Sequence, residues 1–353
     1  MNSVRGEAMT QSETMSDPQS SSATVDAASG AVWQGGETEA SIGRRWIDAA
    51  TLRTYAGPNV WRWLAGVATE WLIIAGAMWI CTLSSNPLLW IAAIFVIGTR
   101  QHALGIMAHE GVHYLVLRSK RWNDLLSNLL CAYPLTYSIE GYRTNHLEHH
   151  RWLETPRDPE QAAINSHPAD WTFPMSRSRY ALLLVRDMVG GSIRQMFELA
   201  GYIWTMPGGA LRHKIYVALF HAAFIALALL TGHIWTYLLL WLVPLSTVAV
   251  MCFRIRTVAE HSAVHPAASR YRLQHPDTLA TTRTTVYGPL AKFFFGPHNM
   301  AYHIEHHMFP SVPVFNLKGL HEHLMRNPDY SARAHVSAST GALIAELTAE
   351  PTR

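Results

Sequence analysis

The sequence predicts an all-α integral-membrane protein: four transmembrane helices in two hairpins, with a cytoplasmic helical cap that carries clusters of histidine. Three observations predict it. Charged residues make up only 15% of the 353, against roughly 25% in soluble domains. Four apolar stretches each approach the roughly 20 residues that cross a ~30 Å hydrocarbon core as a helix. Lysines and arginines flank these stretches on one side, and the two short turns between them carry none.

Residues 1–42 are rich in Ser, Thr, Ala, Gln and Gly. Such a segment cannot bury enough apolar surface to offset ordering entropy, so it is expected to be a disordered tail. It has no basic n-region followed by an apolar h-region, which leaves the first span to anchor the chain. A membrane domain is expected over 43–335, with spans at about 63–83, 87–108, 215–231 and 234–253. The first is apolar apart from Glu70, and the second is interrupted only by Arg100, Gln101 and His102. Ser84-Ser85-Asn86-Pro87 and Thr231-Gly232-His233 are too short to hold domains, so each pair reads as a hairpin. A soluble protein with buried helices is the alternative. Residues 336–353 are expected to form a C-terminal tail.

Orientation follows from the flanks. Arg44, Arg45, Arg53, Arg118, Lys120, Arg121, Lys214, Arg254 and Arg256 share one side under this topology. The positive-inside rule puts them, both termini and the segments 109–214 and 254–353 in the cytoplasm. Residues 176–204 alternate apolar runs with Arg177, Arg179, Arg186 and Arg194, which suits a helix in the membrane interface or an ordinary packed amphipathic helix.

Composition excludes several classes. A net charge of +3 without a long basic run does not point to nucleic acid. Cys81, Cys131 and Cys252 are scattered and form no CxxC pair, so neither a disulfide framework nor an iron–sulfur site is expected.

Histidine is the outlier, with 20 residues. Three clusters stand out: His109-Glu110-Gly111-Val112-His113, His146-Leu147-Glu148-His149-His150 and His303-Ile304-Glu305-His306-His307. Spacings of three or four residues put imidazoles on one helical face, where they can share a metal. At this composition roughly one HxxxH is expected by chance, but an HxxHH only roughly 0.06 times. The chain has two. All three boxes fall on the cytoplasmic side, and eight imidazoles exceed the three or four protein ligands of a single zinc. They suit two transition-metal ions, though imidazole alone does not choose among Zn, Cu, Fe and Ni. Beyond the last span, Glu260-His261 enters the cytoplasm about two helical turns past the membrane edge. His261 is the expected additional ligand, and His265, one turn further on, reads as a surface residue or a second candidate.

The order HxxxH, HxxHH, EH after a span, HxxHH, on two helical hairpins, resembles the membrane fatty acid desaturase and hydroxylase superfamily. Tyr302-His303-Ile304-Glu305-His306-His307-Met308-Phe309-Pro310 and His150 followed by Asp158-Pro159-Glu160 are similar to phrases of that family. The resemblance covers roughly residues 60–330. It implies a non-haem di-iron centre on a four-helix membrane scaffold, with a hydrophobic tunnel for an acyl chain and O₂ as co-substrate. Carried over position by position, it implies His109, His113, His146, His149, His150, His261, His303, His306 and His307 as metal ligands. Asn299 stands where related members place an asparagine near one iron. His102 and His298 are possible neighbours of the site, and Glu110, Glu148 and Glu305 either accept hydrogen bonds from ligand imidazoles or are solvated surface carboxylates.

The first box has three intervening residues, as in many bacterial and sphingolipid-type members. No HPGG haem motif and no flavin or dinucleotide motif occurs in this sequence, so no fused cytochrome b5 domain is expected and a separate electron donor of ferredoxin, rubredoxin or cytochrome b5 type is implied. The expected reaction is desaturation of a lipid or acyl-thioester chain, with hydroxylase, carotenoid ketolase or acetylenase as alternatives in the same superfamily. Two other classes compete. His109-Glu110-x-x-His113 matches the HExxH motif of zinc proteases, where Glu110 would be the general base. That reading leaves both HxxHH boxes unexplained. A metal transporter or sensor would place its ligands near the bilayer midplane rather than at one edge.

Overall fold

A computed structural model describes residue 43 and residues 45–205, 208–262 and 278–348. The expected tail over 1–42 and the candidate His265 lie outside the described residues. Helix dominates, and the strands among the described residues are Thr284–Thr285 and Val336–Ser337, paired in parallel.

Four helical stretches are long and apolar enough to cross a membrane. The first helix, Val60–Thr82, starts where the Asn59 side chain accepts the Arg62 N–H. The second, Pro87–Val112, is capped by Asn86 and opens on a proline, whose missing N–H costs nothing at that position. Only Leu83–Asn86 links the two. The third is Leu211–Leu230. The fourth runs from Ile234 to His261 but is not regular: a π-helical turn at Leu238–Leu242 is followed by Pro244 and a non-helical Thr247. Pro244 cannot donate to the preceding turn, which accounts for the break there.

The second and fourth helices reach further than their apolar stretches suggest. Each continues past the residues expected to end its span, 108 and 253, and so carries His109 and His261 on rigid backbone.

Apolar side chains divide between an inner and an outer set. Trp63, Val67, Ile74, Ile97, Leu104 and Met107 are buried together with Leu240 and Trp241. Trp71 stacks on Trp241 with centroids 5.4 Å apart. The second and fourth helices touch at Gly98, where a Cβ would stand 2.5 Å from that of Val248. Leu72, Trp79, Leu88, Leu219, Leu230 and Trp235 are exposed, as side chains facing lipid would be.

Glu70, Arg100 and Arg254, all buried in the long helices, are paired. Glu70 accepts from Arg100 at 3.1 Å and from the His298 Nε2–H at 2.9 Å, which joins the first two helices to the segment before the third box. Arg254 is buried against Asp187 at 2.5 Å, tying the fourth helix to the amphipathic segment. That segment is two helices, Arg177–Met188 and Ile193–Thr205, separated at Gly190, whose φ of +83° favours glycine. Leu182, Val185, Val189 and Phe197 stay exposed on it.

In its described part, the segment expected as a C-terminal tail packs onto the fourth long helix. Thr340–Thr348 is a helix, and Leu343 and Leu347, one turn apart, are buried against Val258 and Ala259. Glu346 joins Arg283, His335 and Ser337 at 3.1, 2.7 and 2.9 Å. Burial opposes its charge, but those donors hold its carboxyl below the usual range.

Candidate metal centre

Each box is delivered by a different element. His109 lies in the last turn of the second long helix, and His113 caps its end. Gly111 between them is required by packing, since a Cβ there would run into Ser127. The second box sits on Ile139–Trp152, which starts where Ser138 accepts the Gly141 N–H. The third sits on the short helix His303–Met308. His261 is the last residue of the fourth long helix.

These elements converge on two adjoining groups of imidazoles. His109, His113, His146, His150 and His306 form one, and His149, His261 and His307 another, each with one nitrogen per ring within 4.8 Å of the rest. Glu260, His261 and His303 overlap the second group on the same criterion. The two groups meet where His150 stacks on His307 at 4.1 Å. All nine histidines implied by the family resemblance are therefore in one place. Among them only His113 is more than slightly exposed.

The donor set fits metal ions on its own geometry. His146 Nε2 stands 2.7 Å from His109 Nε2 and 3.0 Å from His150 Nε2, which is 3.0 Å from His306 Nε2. In the second group His303 Nε2 is 2.9 Å from His261 Nε2 and 3.0 Å from His307 Nε2. Lone pairs so crowded cannot all be matched by ring protons, whereas a cation between them satisfies every one. Nitrogens about 2.0–2.1 Å from one ion lie about 2.9 Å apart at right angles and about 3.3 Å apart in a tetrahedron. The observed spacings suit the right-angled case, with more donors than a tetrahedral zinc site uses.

Burial keeps most of these rings neutral and hence able to ligate. His113 is pushed down to about 3, by burial first and then by Arg143. Burial, with the neighbouring imidazoles, also holds His146, His150, His303, His306 and His307 well below the usual value. His149 goes the other way. Burial disfavours its charge, but Asp158 and Glu160 carry it up to about 10. Its Nδ1–H donates to Asp158 at 3.0 Å, which turns Nε2 inward and favours positive charge on the ring, as metal binding also does.

Sequence reasoning missed this carboxylate role for Asp158, and for Glu160, whose Oε1 is 3.5 Å from His146 Nδ1. The available signal was Asp158-Pro159, a helix start nine residues after His149. The three glutamates inside the boxes do not stand behind the imidazoles. Glu110 accepts the Val314 N–H at 3.2 Å. Glu148 is exposed at 47% and accepts from the Trp152 ring. Glu305 accepts from the Tyr330 and Thr284 hydroxyls and from His321 Nδ1–H at 2.7, 2.6 and 2.6 Å. At about 100° per residue a helix turns the glutamate of HxEHH away from the face its histidines share, so it cannot back them.

Other candidates are also placed elsewhere. Asn299 accepts from Lys292 at 2.6 Å and donates to the Val314 carbonyl at 3.2 Å. His298 is spent on Glu70. His102 is buried without a hydrogen-bond partner but belongs to neither group.

The sequence is also similar to known proteins. The sequence model of the fatty acid desaturase family matches residues 85–338. Dihydrorhizobitoxine desaturase of Bradyrhizobium elkanii is 26% identical over 78% of this chain and 78% of its own. A beta-carotene ketolase of Paracoccus sp. is 24% identical over 71% of this chain and 88% of its own. The sphingolipid delta(4)-desaturase/C4-monooxygenase of Rattus norvegicus is 27% identical over 61% of this chain and 59% of its own.

Proposed function

The chain belongs to the fatty acid desaturase family, and from that premise we propose that it is a di-iron desaturase acting on a lipid acyl chain. It is an integral-membrane oxidoreductase. The observation that carries the finer reading is the convergence of nine imidazoles into two adjoining groups at the ends of membrane-spanning helices. His109, His113, His146, His150 and His306 would hold one iron, and His149, His261, His303 and His307 the other. Bound iron would supply the O₂-derived oxidant that no protein side chain can provide.

The chain's own residues do the rest. Asp158 fixes the His149 ring, and the buried helix ends keep water from the cluster and hold the rings without reorganisation. Taking two hydrogens from adjacent carbons with one O₂ yields two waters only if two electrons and two protons come from outside. A separate donor of ferredoxin, rubredoxin or cytochrome b5 type fills that need. The proposed topology keeps both termini and the cluster on the cytoplasmic side, where such a donor is available.

A second reading has its own support. The ketolase match spans most of that enzyme's length, which favours oxidation of a carotenoid carbon to a ketone as the alternative outcome. Expression in a host lacking both activities, with products identified by mass spectrometry, decides between them. An O₂-dependent loss of two mass units from an acyl chain is expected. A gain of oxygen on a carotenoid would replace the first reading with the second, and turnover without O₂ would overturn both.

A further inference from the structure

The imidazoles are shared unevenly between the two positions. The first has five. The second has four: His149, His261 and His307, with His303 joined to it through His261 at 2.9 Å and His307 at 3.0 Å. Beside His261 and His303 stands an acid. Glu260 Oε2 lies 3.5 Å from His303 Nε2. Two donors each about 2.1 Å from one ion and 3.5 Å apart subtend an angle of about 110°, an ordinary ligand angle.

Glu260 is a costly residue where it is. It is only 6% exposed, in the last turn of the fourth long helix. Arg256, one turn earlier, meets both carboxylate oxygens through Nε at 2.9 and 3.0 Å and offsets the buried charge. A cavity of about 10 Å³, roughly the room for one water, adjoins the pair. It is lined by Ile106, Arg256, Glu260, Thr285, Tyr287 and Met300 among others.

We propose that Glu260 is a carboxylate donor at the second metal position, so that a mixed imidazole–carboxylate site stands beside an all-imidazole one. This inference rests on the two-iron reading above. An anionic oxygen offsets one unit of a dication's charge where neutral nitrogens offset none, so the two positions differ in net charge as well as in ligand type. Sets of histidine with a carboxylate are ones that iron accepts. Arg256 then serves twice, holding the acid in place while the position is empty and sharing it once an ion is bound.

The test titrates Co²⁺ and Fe²⁺ into purified full-length protein, wild type and Glu260→Gln, and follows visible absorption and bound metal. Wild type should take two ions. Glu260→Gln should keep the first and bind the second about tenfold or more weakly, with an altered spectrum for the second equivalent alone. Gln still accepts from Arg256, which protects the fold. Equal affinity and an unchanged spectrum in the variant would overturn the proposal while leaving two metals standing. A wild type that takes one ion would sink the two-iron reading itself. If the variant does not accumulate, wild-type infrared difference spectra decide, with ¹³C-labelled glutamate and metal-free protein as reference. A shift of a glutamate carboxylate band to the coordinated range on the second equivalent is expected, and its absence overturns the proposal.

Discussion

The second and third boxes share one motif, HxEHH, and are supported in opposite ways. The second lies on a 14-residue helix with a side-chain cap, and its glutamate, Glu148, faces outward. Its rings are steadied from behind by Asp158 and Glu160, which come from the next helix. The third lies on a six-residue helix with no side-chain cap. Its glutamate, Glu305, is fully buried and takes three hydrogen bonds from three separate segments. A long helix can hold its histidines by its own backbone. A short one is marginal alone and must be pinned from outside. The same letter in the same motif therefore performs different work, and only the surroundings say which.

Substitutions can break this comparison or sharpen it. The largest effect is expected at the imidazoles themselves. His150→Ala and His306→Ala each remove a nitrogen from the first group and should abolish turnover and lower bound iron, measured on protein of unchanged abundance. Residual activity near wild type in both would mean that the groups are not the site. Glu305→Gln comes next. Hydrogen bonds to a charged acceptor contribute about 1.5–3 kcal/mol each, and the amide turns one acceptor into a donor facing donors. A stability loss on the order of 3 kcal/mol is expected, read as a lower Tm and as iron lost chiefly from His303, His306 and His307. If Glu305→Gln melts like wild type, the pinning account of the third box fails.

Asp158→Asn should act on the second box alone, with a smaller and chemically distinct result. Metal affinity should fall about 10–100-fold while Tm changes little, because the amide can still hydrogen-bond but no longer favours positive charge on His149. Glu148→Gln should be close to silent in both assays, since its partners are at the surface. A loss there comparable to that of Glu305→Gln would erase the asymmetry. A small, pH-dependent effect is expected at Glu346, whose carboxyl is held below the usual range in the folded chain. Its charge stabilises above the unfolded carboxylate pKa near 4.5, and that contribution disappears as pH falls through the lower folded value. Glu346→Gln should therefore lower Tm slightly at pH 7 and match wild type in acid.

The histidine groups were legible because helical spacing alone puts residues i, i+3 and i+4 on one face, and the family resemblance supplied which boxes meet. The supporting carboxylates were not. Asp158 reaches His149 across a turn, a relation that no periodicity within the box displays. For the glutamates inside the boxes, nearness in sequence left open whether they back the rings or face away, and the helical turn points them away. The four long helices were visible as apolar runs. Their full lengths were not, since the turns that carry His109 and His261 are polar and rest on packing rather than on hydropathy. The last helix, Thr340–Thr348, is short, and its two buried leucines give too faint a pattern to separate it from a tail.

The Glu70–Arg100 pair has a consequence for how the chain enters the bilayer. An arginine or an aspartate placed alone at the centre of a membrane helix costs about 2.5–3.5 kcal/mol to insert, and a lone glutamate faces the same kind of barrier. The third partner, His298, is synthesised nearly two hundred residues later and cannot help at that moment. The first two helices therefore have to leave the translocon together, already paired. A chain stopped after the first helix should remain poorly integrated unless Glu70 is replaced by an apolar residue.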